Sequence, residues 1–327
     1  MKLTTEPKVL ECLLAVNLDV NIWSARRKLS PDDFQHGDLP PEGLASLGSK
    51  KICDPKELRV FGMLKSRAVS LLNKHGIKFL GGYAIPAGRL PDVTHQLEII
   101  AKDFFKAKND FITRYDDTVT QWIKGNPGWE SIIASSTVSA DYVAKRIGFN
   151  WQTFKVVNPV AASADTKLSA GLTDEVAKLG GTLFDEVARS AQEAWKKSYL
   201  GKTEITRKAL NPLKHIQEKL ADLSFIEPRV VPVTALIDTA LSKLPKRGAL
   251  VGAQLLMLKG LVSLLSDTSA LLTYAQEMLD GRNGNDVLDA LIQSKATTKR
   301  KSKGKSKVAL VTDAPPANPG LVSMGLW

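Results

Sequence analysis

The chain has 327 residues, of which 43% are hydrophobic and 24% charged, with a net charge of +11. That composition suits one large or two ordinary globular domains and excludes a fibrous or wholly disordered chain. Two cysteines, Cys12 and Cys53, provide no disulfide framework, and four scattered histidines (His36, His75, His95, His215) with no paired Cys spacing point away from a zinc site. The charge is uneven. Residues 295–327 hold seven Lys or Arg against one acid, Asp313, whereas the remaining 294 residues hold 38 bases and 33 acids. The basic character therefore belongs mainly to the C-terminal segment, and the pI near 9.5 does not by itself indicate a basic face on a folded body.

In chain order, the first residues, MKLTTEPKVLECLL, lack the long apolar run and cleavage site of a secretory leader, which gives an expectation of a cytoplasmic protein. Residues 10–22 alternate, with Leu14, Val16, Leu18, Val20 and Ile22 on one face and Asn17, Asp19 and Asn21 on the other, and so predict a half-buried strand holding Cys12. Residues 29–54 read as a loop rich in proline and glycine. Asp54-Pro55-Lys56-Glu57 then offers an N-cap, a proline at the first helical position and a capping-box glutamate. The stripe Phe61, Leu64, Ala68, Leu71, Leu72 continues that helix, and Lys74-His75-Gly76 predicts its end at a left-handed glycine.

Residues 77–85 read as a second strand. Pro91 opens a helix expected to run to about Ile123, with apolar residues from Val93 to Trp122 at threes and fours, the pattern of a coiled-coil arm. Gly125-Asn126-Pro127-Gly128 ends it, a short helix follows, and residues 149–157 predict a third strand. Beyond Pro159 the strand signals vanish. Helical segments are expected at 164–200, 202–224 and 228–281, with kinks or breaks at Gly180-Gly181, Pro212 and Pro245. The fold class is thus α+β and predominantly α-helical: a small antiparallel sheet of about three strands carries long coiled-coil-like helices and is followed by a helical half. Residues 1–160 form an α+β domain with the helical arm, 161–294 a helical region, and 295–327 a basic, disordered tail with an apolar tip.

The stretch GLASLGSKK (43–51) has the parts of a phosphate-binding P-loop, G-x-x-x-x-G-K-[ST]. Its lysine is out of register behind Ser49, DLPPEG before it cannot be a buried strand, and the next helix begins with an aspartate that repels phosphate. Neither GLASLG nor GLVSMG fits the five-residue nucleophile motif G-x-S-x-G. The pairs Asp32-Asp33 and Asp116-Asp117 are adjacent carboxylates that diverge on a helix. The sequence therefore predicts no catalytic residue, no cofactor and no metal.

The apolar run at 248–265 approaches membrane-spanning length, but Lys259 near its centre would cost about 2.5–3.5 kcal/mol on insertion, which favours a buried helix. In the tail, Lys299, Arg300, Lys301, Lys303, Lys305 and Lys307 are candidates for salt-sensitive contact with nucleic acid. Trp327 is a candidate anchor of a docking peptide.

The segments NLDVNIWSARRKL (17–29), LPPEGLASLGSKKICDP (39–55), FLGGYAIP (79–86) and FNWQTFKV (149–156) together resemble a bacterial and phage family, the domain of unknown function numbered three-one-five-zero. The resemblance covers residues 10–160 best. It implies a protein of phages or mobile elements encoded near a MoxR-like AAA+ ATPase and a von Willebrand factor A protein. Joined to the missing catalytic constellation, it implies a non-enzymatic subunit or adaptor of such an assembly in the bacterial cytoplasm, working by protein–protein contacts. A DNA-associated factor using the basic tail is the alternative, and a membrane-active helical protein a remote one; a homo-oligomer is compatible with either. Arg26, Arg27, Lys50 and Lys51 are the expected exposed partner contacts, because they cluster around glycine- and proline-rich loops.

Overall fold

The computed structural model describes residues 9–30, 33, 48–157, 166–282 and 286–287. Its centre is a four-stranded antiparallel sheet in the order β4-β5-β1-β6. β1 (Leu13–Asn21) lies between β5 (Gly82–Pro86) and β6 (Gly148–Phe154), and β4 (Ile77–Phe79) forms one edge. Cys12 is not in the strand; it sits exposed in the turn before it. The predicted second strand is a hairpin, because Leu80 and Gly81 take left-handed φ values of 46° and 76° and form a two-residue turn.

The face of β1 read from its alternation is the one that packs. Val16 and Val20, with Tyr83, Ile85 and Phe149 beside them, are buried beneath α1 (Arg59–His75) and α2 (Leu90–Thr113). The opposite face is divided. Leu13, Ala84, Ile77 and Phe79 are buried with residues of the C-terminal helices, whereas Asn17, Asp19 and Asn21 stay exposed. The sheet is thus a middle layer over part of its width. Single-strand alternation cannot report this, because the covering helices come from residues far along the chain.

α1 begins later than the capping pattern implies. Asp54 caps a turn instead, its Oδ1 accepting from the Lys56 amide at 2.9 Å, and successive turns through Leu58 lead into Arg59. Glu57 pairs with Arg114 rather than folding back on the cap. At the other end Gly76 is extended, with φ −136°, not left-handed. Glycine is needed there for proximity: a Cβ would meet Ile85 Cδ1 at 2.2 Å and the Ala84 carbonyl oxygen at 2.6 Å.

The long helix after Pro91 breaks at Arg114 into α2 and α3 (Tyr115–Lys124). Its apolar stripe packs on α1 and the sheet through Val93, Leu97, Ile100, Phe104 and Phe111. Two short helices follow, α4 (Glu130–Ala134) and α5 (Ala140–Ala144).

The C-terminal helices are α6 (Thr166–Ala194), α7 (Asn211–Asp222), α8 (Val230–Ser242), α9 (Gly252–Leu265) and α10 (Thr268–Leu279). Neither predicted break at Gly180-Gly181 or Pro212 interrupts a helix. α6 runs straight through the glycines, and Gly180 makes room for Glu227, whose side chain lies 3.1–3.5 Å from where a Cβ would be. Pro212 starts α7, where its missing amide costs nothing. Strand structure does not vanish either: β7 (Glu204–Ile205) pairs with β8 (Leu250–Val251).

The apolar run at 248–265 becomes β8 and α9. The 14 residues of α9 are largely buried, and Lys259 reaches out to the Lys202 carbonyl at 2.6 Å. Among the described residues no single helix is long and apolar enough to cross a membrane, and α9 and α10 meet at 104°.

Candidate functional site

Residues 29–54 are not all loop. Gly48, with φ 80°, leads into β3 (Ser49–Lys51), which pairs antiparallel with β2 (Arg26–Lys28) in the register Arg26↔Lys51, Arg27↔Lys50 and Lys28↔Ser49. The P-loop-like lysines thus sit on a strand, not at a helix N-terminus. The ribbon brings together all four residues expected as partner contacts.

Its frame is firm. Ala25 adopts a left-handed φ of 54° and is buried, and its carbonyl accepts from the Ile52 amide at 2.9 Å. Trp122 Nε1 donates to the Lys51 carbonyl at 3.2 Å, and Trp23 packs edge-on against Tyr115 beneath the turn. Arg26 donates to the Ser49 hydroxyl diagonally across the ribbon at 3.3 Å.

The four residues divide by strand alternation. Arg26 and Lys51 are side by side and exposed, together with Lys28. Lys50, expected to be exposed, is instead half-buried and hydrogen-bonds Asp33 in an ion pair whose side chains are 11% and 8% exposed. Asp33 also accepts from the Ser30 amide at 2.8 Å. Both bonds, the Lys50 bond first, hold its carboxyl below the usual carboxylate range. The unfolded chain therefore takes up this proton before the folded one. The pair contributes stability above the ordinary carboxylate pKa, and that stability is lost as pH falls through the lowered value. Between pH 7 and pH 3 the melting temperature of Asp33→Asn is expected to fall less than that of the wild type; equal slopes would count against this pair as an acid-sensitive clasp of the ribbon.

Arg27 lies on the same face as Lys50 and turns toward α5. Ser139 caps α5 by accepting from the Tyr142 amide, which positions the Tyr142 ring. The Arg146 guanidinium stacks on that ring at 3.5 Å, and the Arg27 guanidinium approaches it at 5.4 Å. Arg146 Nη1 also donates to the Tyr142 carbonyl at 3.4 Å. Lys108 donates to the Ile147 carbonyl at 2.7 Å and so holds the junction from α5 to β6.

Between ribbon, α5 and the end of β1 opens a cleft of about 470 Å³. Arg26, Arg27, Lys145 and Arg146 line it, with Asn21, Ser24 and Tyr142 adding polar groups, and among the described residues no carboxylate does. Among the described residues none of Arg26, Arg27, Lys28, Lys51, Lys145 and Arg146 forms an ion pair. Tyr142, Lys145 and Arg146 were not singled out from the sequence. Their signal was the i, i+3, i+4 spacing of YVAKR, which sets an aromatic ring and two cations on one helical face.

A second cleft, of about 480 Å³ between α1, α6 and α7, differs in its charges. There Lys74 pairs with Glu218, Lys197 with Glu193 and Lys219 with Glu186. Lys219 also donates to the Asn73 carbonyl at 2.8 Å. This cleft is internally neutralised.

The remaining chemistry is quiet. Burial pushes the Cys53 thiol up to about 11, so it stays protonated and a weak nucleophile. Among the described residues no three His, Cys, Asp or Glu side chains gather as a metal site. Lys299, Arg300, Lys301, Lys303, Lys305, Lys307 and Trp327 lie outside the described residues, as does the rest of the predicted tail.

Residues 10–267 match the family model described as Protein of unknown function (DUF3150). No curated protein and no solved structure matches the chain.

Proposed function

The chain belongs to the DUF3150 family of proteins of unknown function, and from that premise we propose that it is a non-enzymatic accessory subunit acting through protein–protein contacts. The partner is an assembly of a MoxR-like AAA+ ATPase and a von Willebrand factor A protein, in a phage or mobile element within a bacterial cytoplasm. ATP chemistry belongs to that partner. One observation carries the contact surface: Arg26, Lys28 and Lys51 are exposed on one face of a ribbon tied to the core and form no ion pair among the described residues. A firm, positively charged ribbon suits an acidic partner surface, because complementary charge speeds encounter and fixes orientation, while a rigid frame limits the entropy lost on docking.

The test is capture of the tagged full-length protein from its native host without nucleotide, with ADP and with a non-hydrolysable ATP analogue. The ATPase or the von Willebrand protein is expected to be recovered with the wild type and reduced at least about tenfold with Arg26→Glu/Lys51→Glu, two exposed positions whose reversal leaves the fold intact. Recovery of neither protein under any nucleotide condition would overturn the reading.

A second reading, a DNA-associated factor, is favoured by the run of six bases from Lys299 to Lys307. It predicts binding to DNA that falls steeply with salt and is lost on deletion of residues 295–307. Equal binding with and without that segment removes it.

A further inference from the structure

We propose that the cleft between the β2–β3 ribbon and α5 is a phosphate-binding site, in which the guanidinium groups of Arg27 and Arg146, which both approach the Tyr142 ring, take the oxyanion. This site does not depend on the adaptor reading.

Among the described residues four cationic side chains and no carboxylate line the cleft, whereas the second cleft, of about 480 Å³, matches its lysines with glutamates. The ribbon register makes the deficit sharper. Like charges stand directly opposite each other at Arg26↔Lys51 and Arg27↔Lys50, an arrangement that destabilises a strand pair. Among the described residues, Lys50 alone of these four has its charge answered, by Asp33. Two strands that place cations face to face are relieved by an anion.

Arg146 is held by its stacking on Tyr142 at 3.5 Å and by the bond from its Nη1 to the Tyr142 carbonyl. A guanidinium immobilised in this way offers paired donors that match two oxygens of a phosphate and loses little entropy on binding. Ser24 and Asn21 add neutral polar groups to the lining.

Two aromatic rings line the cleft: Trp23 is only 6% exposed, and Tyr142 is approached by Arg146 and Arg27, so among the described residues neither offers an open platform for stacking a base. What the site recognises is the phosphate, carried either by a small polyphosphate or by the backbone of a nucleic-acid strand. The volume of about 470 Å³ accommodates either a short polyphosphate or two backbone groups.

The experiment is calorimetric titration of the full-length protein at low salt with inorganic triphosphate, with a short single-stranded oligonucleotide and with citrate, a carboxylate of comparable charge. Triphosphate is expected to bind, and Arg27→Gln/Arg146→Gln to weaken it at least about tenfold, the cost of losing charge-assisted bonds. The variant keeps the whole tail, so any change it makes belongs to the cleft. Its melting temperature is measured alongside, to show that it stays folded without the Arg146–Tyr142 contacts. Arg146→Lys, which keeps the charge and loses the fork, is expected to weaken triphosphate as well, and serves as the reading if the double variant fails to fold. An oligonucleotide displaced by triphosphate identifies a strand backbone as the source, and triphosphate binding without any competition identifies a small ligand. Citrate binding as tight as triphosphate, no binding by either phosphate probe, or binding unchanged in Arg27→Gln/Arg146→Gln would each overturn the proposal.

Discussion

Phe104→Ala is expected to destabilise the protein by about 4 kcal/mol, the middle of the range for deleting a buried aromatic ring. Phe104 is 0% exposed and joins three elements. Its ring lies 5.0 Å from Phe61 on α1 and 5.4 Å from Phe149 on β6, and Phe61 continues the chain of rings to Phe111 at 6.1 Å. Edge-to-face pairs of this kind add roughly 0.5–1.5 kcal/mol beyond the area they bury. The cavity cannot close easily, because its walls belong to two helices and a strand fixed by the sheet register. Urea unfolding with an unchanged slope measures the loss, and Phe104→Leu should recover more than half of it. A loss below about 1.5 kcal/mol in Phe104→Ala would show that the cluster repacks and would remove this account. The effect also reaches the basic cleft, since Phe149 follows Gly148 at its rim.

Gly76→Ala is expected to cost about 3 kcal/mol, near the top of the range for overpacking. The new methyl would stand 2.6 Å from the Ala84 carbonyl oxygen, a backbone atom held within the β4–β5 hairpin, and 2.2 Å from Ile85 Cδ1. The isoleucine can rotate; the carbonyl cannot move without breaking the hairpin. Gly62→Ala, at the fourth residue of the same helix, is the matched control. Nothing lies within 4 Å of its Cβ position, so the substitution is expected to stabilise by about 0.5–1 kcal/mol through helix propensity alone. Thermal and chemical unfolding of the two variants should therefore shift in opposite directions. If both move the same way, the close approach of α1 to the hairpin is not what requires glycine at 76.

Both substitutions concern glycine and phenylalanine positions that a local reading assigns correctly in kind but not in cause. Gly76 does end a helix, yet it does so extended and by proximity, not by a left-handed cap. Asp54 does cap a turn, yet the helix begins at Arg59 because the intervening residues are engaged elsewhere, Glu57 with Arg114 among them.

What the residues alone determined is the periodic part of the protein. The alternation of Val16, Leu18 and Val20, the stripe of α1, and the apolar repeat from Val93 to Phe111 each name a buried face, because burial on one side imposes a period of two or of 3.6 on the chain itself. The same residues carry the family membership.

The tertiary structure decided everything that depends on which distant segments meet. It turned 49–51 from loop into strand by pairing it with 26–28, a match of short polar stretches with no periodic signal. It covered one end of the second face of the sheet with helices from beyond residue 166. It buried Lys50 against Asp33 while leaving Arg26 and Lys51 exposed, and it brought Arg27 and Arg146, which are 119 positions apart, to the same Tyr142 ring. Strand pairing and charge placement are properties of contacts, and a contact between distant residues leaves no mark on the local pattern of either one.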